Sequence, residues 1–505
     1  MPNVASRRAD PIIYDAMIYA VAAYFILCVA IRVFVSSSLE IDEGEQAFVS
    51  QFLALGYGRQ PPFYNWLQYA VVETFGLSLT ALTAVKHVQL FLCCLFYGLA
   101  ARIVIKDRSL ATMAMLGVLT LPPVFLLAQR DLSHTVSALF AVSLFLYGFF
   151  RTMRSPSAFS YLVTGIAVGI GLISKYNFAL VPVAAILAVL PERDLRQRIF
   201  DWRILLSLTV AGAIVLPHAY WIVHNLAWAS AGTIKEMKEG MSGGRLTQAF
   251  QGTFSLLSAF ISGSVLPLVF FAVVFPFDIK RICRAESQWT RITGRMIVLC
   301  VLAVLLIVLG LGATNIREKW LALFLVLWPI YLCLKIDAAG IEMTGRLKRF
   351  AIPLFIMIVA VLIGVSARVV TSQMLGTYNK LNIPYDAFIS EITNNRSVQP
   401  ALLITEDTNL AGNARLQLPH TPVIMPSDPP TPLAADWRSA GPVLVIWRSN
   451  GALEPAFPES LAQKLREGGV ASEEIKPLYA APSYYLGKEA DRYGFGYLWL
   501  PQKGN

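Results

Sequence analysis

Four carboxylates lie close together just after the first long apolar segment of this sequence. They are Glu40, Asp42, Glu43 and Glu45, and an amphipathic run over 47–55, which we expect to lie along a membrane surface, follows them. A carboxylate beside a membrane span is costly to desolvate, so an acid-rich loop at this place calls for an explanation. A carboxylate is also suited to take a proton from an acceptor hydroxyl group. Two structural alternatives stay open: the acids form a solvated loop, or Asp42 caps the next helix with Glu45 three residues on.

A turn and an aromatic cluster follow the acids. The sequence at 56–62, GYGRQPP, cannot continue a helix because of its glycines and paired prolines. The aromatic residues Phe63, Tyr64 and Trp66 complete the segment.

The acid pair and the QPPFYNWLQ segment together resemble the polytopic C-type glycosyltransferases. Within them, the resemblance is to the bacterial branch related to protein O-mannosyltransferases and lipid A aminoarabinose transferases. Those enzymes take a sugar from a polyprenyl-phosphate carrier, and an Asp of their first external loop serves the active site. The resemblance therefore implies catalysis by Asp42, with Glu43 as a second acid. It assigns the donor or acceptor pocket to Arg59, Gln60, Tyr64, Trp66 and, further along the chain, His134.

A further acid, Asp131, lies in the very short turn predicted between the third and fourth spans. The family places a second Asp at this point, often followed by a Pro-Leu step that this chain lacks. His134, three residues later, is expected on the same helical face. The resemblance implies a catalytic role for Asp131, and the alternative is a helix cap with Arg130 as its partner.

Basic residues at two places are candidates to bind the phosphate of a lipid donor. Lys175, followed by Tyr176, resembles an (S/T)K(Y/G) step that recurs in these transferases, and a lysine at membrane depth is costly unless paired. Arg317 and Lys319, which precede Trp320, resemble basic-aromatic entries that face the carrier phosphate in the family. The alternatives are snorkelling of Lys175 and an ordinary interfacial anchor at the second place.

The motifs predict no metal site and no required cofactor. His218 and His224 are six residues apart in the sequence and poorly placed on one helical face. A divalent cation stays open as a cofactor, because in some relatives a histidine joins an outer-loop carboxylate around such an ion. Sequence motifs for nucleotide phosphates are absent, which fits a donor delivered by a lipid.

The composition predicts a mainly α, polytopic membrane protein. The 505 residues are 56% hydrophobic and 15% charged, whereas a soluble chain carries about a quarter of its residues charged. About eleven apolar segments are long enough to span roughly 30 Å of hydrocarbon, with the run at 160–191 split into two short spans near Lys175. The net charge of +10 comes from short basic clusters between apolar segments, which argues against nucleic acid as a partner.

Two domains are predicted. A transmembrane glycosyltransferase domain covers 1–370, and its first periplasmic loop, at about 36–79, carries interfacial helices. A small periplasmic α/β domain covers 371–505, because prolines and polar residues increase there and β-rich runs appear at 401–405 and 442–447. The loop charges predict a cytoplasmic N-terminus and a periplasmic C-terminal domain.

The resemblance implies a glycosyltransferase of the bacterial inner membrane. Its donor is expected to be a polyprenyl-phosphate hexose or pentose, and its acceptor a cell-envelope lipopolysaccharide or lipid A, polysaccharide or protein. The alternative is a transporter or flippase for lipid-linked sugars, which would use the same outward acids and phosphate-binding cations. The long first loop and the large external domain favour the transferase, since alternating access needs neither.

Overall fold

The chain is mainly helical, as the composition predicts. The computed structural model describes residues 6–237, 244–394, 399–426, 436–449 and 451–503. The helices of the first 200 residues are α1 Ser6–Val35, α2 Ile41–Val49, α3 Phe63–Phe75, α4 Leu79–Val104, α5 Arg108–Gly117, α6 Pro122–Phe125, α7 Ser133–Arg154, α8 Ala158–Leu172, α9 Leu180–Val189 and α10 Arg193–Arg196.

The next helices complete the apolar part of the chain. They are α11 Ile204–Met237, α12 Arg245–Val274, α13 Ile279–Arg284, α14 Gln288–Leu311, α15 Glu318–Leu325, α16 Leu327–Ala338 and α17 Arg346–Val370. The C-terminal helices are α18 Ser372–Leu375, α19 Tyr385–Asn394, α20 Thr408–Gln417 and α21 Glu459–Glu467.

Eight helices within the described residues are long and apolar enough to cross a membrane. A ninth span results if Arg108–Thr120 and Pro122–Gln129, which are bent by 67° at their junction, count as one. The sequence predicted a single straight span here, and the bend occurs where Pro122 and Pro123 interrupt the helix. The run at 160–191 forms two shorter apolar helices that break near Lys175, as predicted. The total of eleven spans stays a prediction.

The chain divides into two compact units. The transmembrane unit contains Met1–Leu27, Ala54–Tyr64 and Lys86–Leu362, and the sheet unit contains Cys28–Leu53, Asn65–Val85 and Ile363–Asn505. The acid-rich segment therefore belongs to the compact unit that also holds the C-terminal sheet.

The sheet has five strands in the described part of the chain. They are β1 Leu402–Ile404, β2 Val423–Ile424, β3 Val443–Arg448, β4 Leu478–Ala480 and β5 Phe495–Leu500. The strand order is β2-β1-β3-β5-β4, with β1 parallel to both β2 and β3 and with β5 antiparallel to β3 and β4. Buried side chains of β3, including Val445 and Trp447, pack with Leu461 and Leu465 of α21. The β-rich runs read from the sequence are thus confirmed as β1 and β3.

Helix α2 differs from the sequence-based expectation. The amphipathic run was expected to lie along a membrane surface, but the helix starts at Ile41, ends at Val49 and buries Glu43, Gly44 and Gln46. Ala47 joins a small apolar cluster with Leu39, Leu79 and Leu82 inside the sheet unit. Packing within this unit therefore buries one side of α2, and the position of the run at 47–55 along a membrane surface stays a prediction.

Close helix packing fixes the middle of α8, the helix that precedes Lys175. A Cβ atom at Gly148 of α7 would lie 2.9 Å from the backbone nitrogen of Thr164, and one at Gly165 would lie 2.6 Å from the carbonyl oxygen of Ser207 in α11. Such small residues let helix backbones approach in a membrane environment. The middle of α8 is therefore held between two long helices.

Candidate active site

Asp42 is the second residue of α2 and is half-buried. The cap of this helix is Glu40, and its backbone nitrogen donates to Glu43 Oε2 at 3.0 Å. The alternative that Asp42 is the cap, with Glu45 three residues on, is therefore wrong. Asp42 lies in the first turn instead, where the helix dipole favours a negative charge.

Glu43 is buried and engaged with Arg32. Nη2 of Arg32 lies 2.6 Å from Glu43 Oε2, and Nε lies 3.1 Å from Oε1, so the guanidinium binds both carboxylate oxygens. Arg32 also donates to the carbonyl oxygens of Ser36 at 2.9 Å and Ser38 at 2.7 Å. This geometry favours a structural role for Glu43 over the catalytic role that the resemblance implies, because a fork-shaped pair of this kind fixes both partners.

We predict that Glu43→Gln lowers stability more than it alters chemistry. The change leaves the Arg32 guanidinium buried without its carboxylate, since the two side chains are only 9% and 6% exposed. Breaking one side of a buried ion pair costs about 3–5 kcal/mol. Thermal unfolding of the detergent-purified protein should show a clearly lower midpoint, and Glu45→Gln on the half-buried side of the same helix is the matched control. Equal midpoints for the two variants would contradict the structural role.

Glu40 is a second buried acid of this segment. It is 5% exposed and forms an ion pair with Arg368 near the end of α17. A substitution there would disturb the same loop, so Glu40 is unsuitable as a neutral comparison for Asp42.

Lys175 lies in the short turn after α8 and is buried. Its Nζ donates to Thr135 Oγ1 at 2.8 Å and lies 3.4 Å from the carbonyl oxygen of Lys319. The turn folds back on α8 because Gly171 leaves room for the ring of Phe178, which would lie 2.2 Å from a Cβ atom at that position.

A cavity of 170 Å³ opens beside Lys175. Two cations and two amide side chains supply the polar part of its lining, and aliphatic side chains with one tyrosine and one tryptophan supply the apolar part. Its lining residues are Arg59, Gln60, Lys175, Tyr176, Asn177, Leu180, Val304, Ile307, Ile316, Trp320 and Leu321. Such a mixture suits a phosphate attached to an apolar chain.

The segment that carries Arg59 and Gln60 is fixed by His218. The Nδ1 atom of His218 lies 2.9 Å from the carbonyl oxygen of Leu55 and Nε2 lies 3.2 Å from the hydroxyl of Tyr176. A carbonyl only accepts, so Nδ1 carries the proton and Nε2 accepts from the tyrosine. Both ring nitrogens are thus engaged in protein contacts. His218 therefore positions the pocket segment, a role that the sequence pattern did not reveal.

The two basic residues before Trp320 do not line this cavity, although the resemblance implies that they face the carrier phosphate. Arg317 precedes α15 as its cap residue, and Lys319 lies in the first turn. Neither side chain lines the cavity, whereas Ile316 and Trp320 do. Asn177, which the sequence did not single out, joins this region, because its Nδ2 donates to the carbonyl oxygen of Trp320 at 2.8 Å.

Asp131 precedes α7 but is not its cap. The cap is Leu132, which has a left-handed backbone with a φ of 76°. A branched apolar residue is rare in that conformation, and such strained positions cluster at functional sites. The helix starts only at Ser133, so Asp131 and His134 do not share a helical face as expected.

The start of α7 brings several of the predicted residues together. The His134 ring lies 6.0 Å from the ring of Tyr64, centroid to centroid, and Thr135 contacts Lys175. The backbone nitrogen of Phe63 donates to the carbonyl oxygen of Ile173 at 2.9 Å, which fixes the QPP segment against the end of α8. Trp66 is half-buried in α3 and belongs to the sheet unit, as do Asp42 and Glu43.

A larger cavity, of 650 Å³, lies at the other end of α14. It is lined by Arg291, Arg295 and Lys335, but Glu192 already pairs with Arg291 at 3.2 Å and with Arg295 at 2.9 Å. The hydrogen bonds from the two arginines lower the pKa of the Glu192 carboxyl, and the bond from Arg291 contributes most. None of the predicted site residues lines this cavity.

Across the described ranges of the chain, no three side chains of His, Cys, Asp or Glu form a group that could hold a metal ion.

Comparison with known proteins yields both close and distant relatives. The family described as dolichyl-phosphate-mannose-protein mannosyltransferase matches residues 59–221. The lipopolysaccharide core galacturonosyltransferase RgtA of Rhizobium johnstonii is 45% identical over 95% of this chain and 96% of its own. RgtB of the same organism, also a lipopolysaccharide core galacturonosyltransferase, is 41% identical over 96% of this chain and 97% of its own.

Among solved structures, ArnT from Cupriavidus metallidurans bound to undecaprenyl phosphate has the same fold. The match has a TM-score of 0.61 at 14% identity and covers 95% of this chain and 97% of ArnT. The resemblance read from the acid pair and the QPP segment is thereby confirmed. The multi-pass helical fold and the extent of the sequence identity show that this chain is a membrane glycosyltransferase that uses a lipid-linked sugar, and it belongs to the C-type family that includes the lipopolysaccharide core galacturonosyltransferases.

Proposed function

We propose that the chain transfers a galacturonosyl group from a polyprenyl-phosphate carrier to the core or lipid A part of lipopolysaccharide. The transfer would take place on the periplasmic face of the bacterial inner membrane. The cavity that holds Lys175 and Arg59 together is the observation that carries the proposal. A uronic acid on a phosphate carrier has two anionic groups, the phosphate and the carboxylate, and two cations beside an apolar wall match both. The names of the two full-length relatives point to the same sugar and the same acceptor.

The chemistry is a single displacement at the anomeric carbon. The acceptor hydroxyl oxygen forms a bond to that carbon while the bond from the carbon to the phosphate oxygen breaks. The hydroxyl proton passes to a carboxylate, for which we propose Asp42, with Asp131 as the acid that orients the acceptor. The leaving group is the polyprenyl phosphate, which gains negative charge.

Cations stabilise that leaving group. Lys175 is buried, so its charge acts in a medium of lower dielectric constant than water, and the exposed Arg59 lines the same cavity. Such preorganised charges are worth more there than in water, because little solvent must reorganise as the phosphate gains charge. We propose that one cation binds the phosphate and that the other binds the carboxylate of the sugar.

The test is a transfer assay with purified protein in detergent. Polyprenyl-phosphate galacturonate and a lipopolysaccharide acceptor that lacks galacturonate are mixed with the protein, and the product is identified by mass spectrometry. The matched donor is polyprenyl-phosphate galactose, which lacks only the carboxylate. We expect rapid transfer from the first donor and little from the second. Equal transfer from both would contradict the recognition of the carboxylate.

The same assay separates transfer from transport. Detergent leaves no second compartment, so a flippase would consume no donor. An intact donor after long incubation, with protein that still binds polyprenyl phosphate, would favour the flippase.

We predict that the C-terminal end of the chain lies in the periplasm. The basic clusters between apolar segments, with Arg196 and Arg198 among them, favour cytoplasmic loops. A reporter that is active only in the periplasm should be active when fused after the last residue and silent when fused after Arg198. A silent C-terminal fusion would overturn the odd number of spans and the periplasmic placement of the sheet.

A further inference from the structure

Helix α20 contacts α2 so closely that only glycine fits at the crossing. A Cβ atom at Gly412 would lie 2.1 Å from the carbonyl oxygen of Gly44, which is backbone and cannot move aside. A Cβ atom at Gly44 would lie 2.7 Å from Nδ2 of Asn409. Both glycines therefore serve close approach, and the two helices are held together along their backbones.

Asn409 binds the backbone at the start of α2. Its Nδ2 donates to the carbonyl oxygen of Leu39 at 3.1 Å and to that of Glu40 at 3.0 Å. The Glu40 carbonyl also accepts the first helical hydrogen bond, from the nitrogen of Gly44 at 2.8 Å. Asn409 thus fixes the point where the helix begins, two residues before Asp42.

Asn413, one turn further along α20, completes this contact. Its Oδ1 accepts from the backbone nitrogen of Leu39 at 2.9 Å, and its Nδ2 donates to the carbonyl oxygen of Asn409 at 2.8 Å. Both asparagines are buried. A buried amide is costly unless it is hydrogen-bonded, and here each amide is used to hold the main chain of the acid segment.

The other end of α2 is held in the same way. Arg415 donates to the carbonyl oxygen of Ala47 and to Ser50 Oγ, the latter at 2.8 Å. Burial lowers the pKa of the Arg415 guanidinium to about 10, so it remains charged at neutral pH. The side chain of Gln51 then pairs with the backbone of β2, because its Nε2 donates to the Val423 carbonyl at 3.0 Å and its Oε1 accepts from the Val423 nitrogen at 3.1 Å.

Asn409 is itself fixed by the central strand of the sheet. Its Oδ1 accepts from the hydroxyl of Tyr385 at 2.9 Å, and that hydroxyl accepts from Nη1 of Arg448 at 2.7 Å. Arg448 ends β3 and also binds Asp407 at 2.5 Å. Asp407 caps α20 by accepting from the nitrogen of Leu410 at 2.8 Å. A continuous set of hydrogen bonds therefore joins the sheet to the start of α2.

From these contacts we infer that α20 of the C-terminal domain positions Asp42 for catalysis, with Asn409 as the positioning residue. The inference rests on the proposed function, in which Asp42 takes the acceptor proton. Asn409 is buried, and in this inference it acts through its hydrogen bonds to the backbone of Leu39 and Glu40. A carboxylate must lie within about 3 Å of the proton that it takes, so a small shift of the helix start reduces the rate strongly.

The amide group of Asn409 can be tested by a nearly isosteric change. Asn409→Asp replaces the donor by a carboxylate oxygen, which would face two carbonyl oxygens and repel them. Asn409→Ala removes the donor without repulsion. We expect kcat to fall on the order of 10- to 100-fold in the alanine variant and further in the aspartate variant. The KM for the lipid donor should stay unchanged, because the cavity at Lys175 lies in the other compact unit.

A control on the same helix separates positioning from general damage. Gln417→Ala changes a half-buried side chain at the end of α20 and should keep both kcat and KM near the values of the unmodified chain. Binding of polyprenyl phosphate to each purified variant reports whether the transmembrane unit is folded. A fall in donor affinity that parallels the fall in kcat would overturn the positioning role.

A double substitution distinguishes failure of this inference from failure of the proposed function. If Asn409 acts through Asp42, Asn409→Ala should cost almost nothing in a chain that already carries Asp42→Asn. A full additional loss in that background would overturn the positioning role while leaving the function intact. High activity of Asp42→Asn alone would instead overturn the proposed role of the acid.

Discussion

Asp42→Asn is expected to reduce transfer by about 100- to 10,000-fold, because it removes a proton acceptor and keeps the size of the side chain. Such a loss corresponds to about 3–5 kcal/mol of transition-state stabilisation. Asp42 lies in the first turn of α2, so the substitution also removes a favourable contact with the helix dipole. That contact is worth only about 0.3–1 kcal/mol. The first effect lowers the rate and the second lowers the stability, so the rate and the thermal midpoint report them separately.

The measurement is the initial rate of galacturonosyl transfer, with the thermal midpoint of each variant as a check on folding. Glu45→Gln, on the same helix, is the matched control and should stay near the unmodified rate. Asp131→Asn belongs in the same series, since Asp131 precedes the strained Leu132 at the start of α7. If Asp42→Asn keeps more than about a tenth of the activity, the loss falls short of what general-base catalysis contributes, and Asp42 is not the base.

The fold was largely predictable from local sequence features. Apolar segments of membrane length locate most of the long helices, and the break near Lys175 is visible because the polar residues Ser174, Lys175 and Asn177 interrupt an apolar run. The two strands β1 and β3 follow from short β-rich runs between turns. These features depend on neighbours in the chain, which a single sequence displays directly.

The start of α2 was not predictable in the same way. The sequence shows four similar carboxylic acids here, Glu40, Asp42, Glu43 and Glu45. Each of them could be a helix cap or a catalytic acid. Their roles can be distinguished only by their partners elsewhere in the chain, because Arg368 pairs with Glu40 and Arg32 pairs with Glu43. Glu40 and Arg368 are 328 positions apart in the sequence, and no local pattern indicates that they are in contact.

The roles of the cations were also not predictable from the sequence. Lys175, Arg317 and Lys319 all matched basic positions of the family, yet only Lys175 lines the cavity. Helix α15 begins at Glu318, so the rotation of its first turn directs Trp320 to the cavity instead of Lys319. The rotation of a helix depends on what it packs against, and a motif of three residues does not specify it. The positioning role of His218 was not predicted for a related reason. Its partners Leu55 and Tyr176 come from two separate segments of the chain.

Lys175→Met is expected to weaken binding of the lipid donor about 10- to 100-fold, because it removes the buried charge and keeps most of the apolar stem. One charge-assisted contact is worth about 1.5–3 kcal/mol, which sets that range. The neutral side chain suits the apolar surroundings of α8 and α9, so folding should be preserved. Donor affinity is measured by titrating polyprenyl phosphate into the purified protein. Polyprenyl phosphate lacks the sugar, so this titration measures binding of the carrier without any contribution from the uronate.

The matched control for Lys175 is Lys319→Met. Lys319 lies in the first turn of α15 and approaches Lys175 only through its carbonyl oxygen, which the substitution retains. Its side chain does not line the cavity, so the expected change in donor affinity is less than about 2-fold. This change corresponds to the few tenths of a kcal/mol typical of substitutions away from a site.

Arg59→Met completes the set, because Arg59 shares the cavity with Lys175. If Arg59 binds the sugar carboxylate, its loss should weaken the galacturonate donor and leave the affinity for sugar-free polyprenyl phosphate unchanged. Equal losses for Lys175→Met and Lys319→Met would instead place the carrier phosphate outside this cavity.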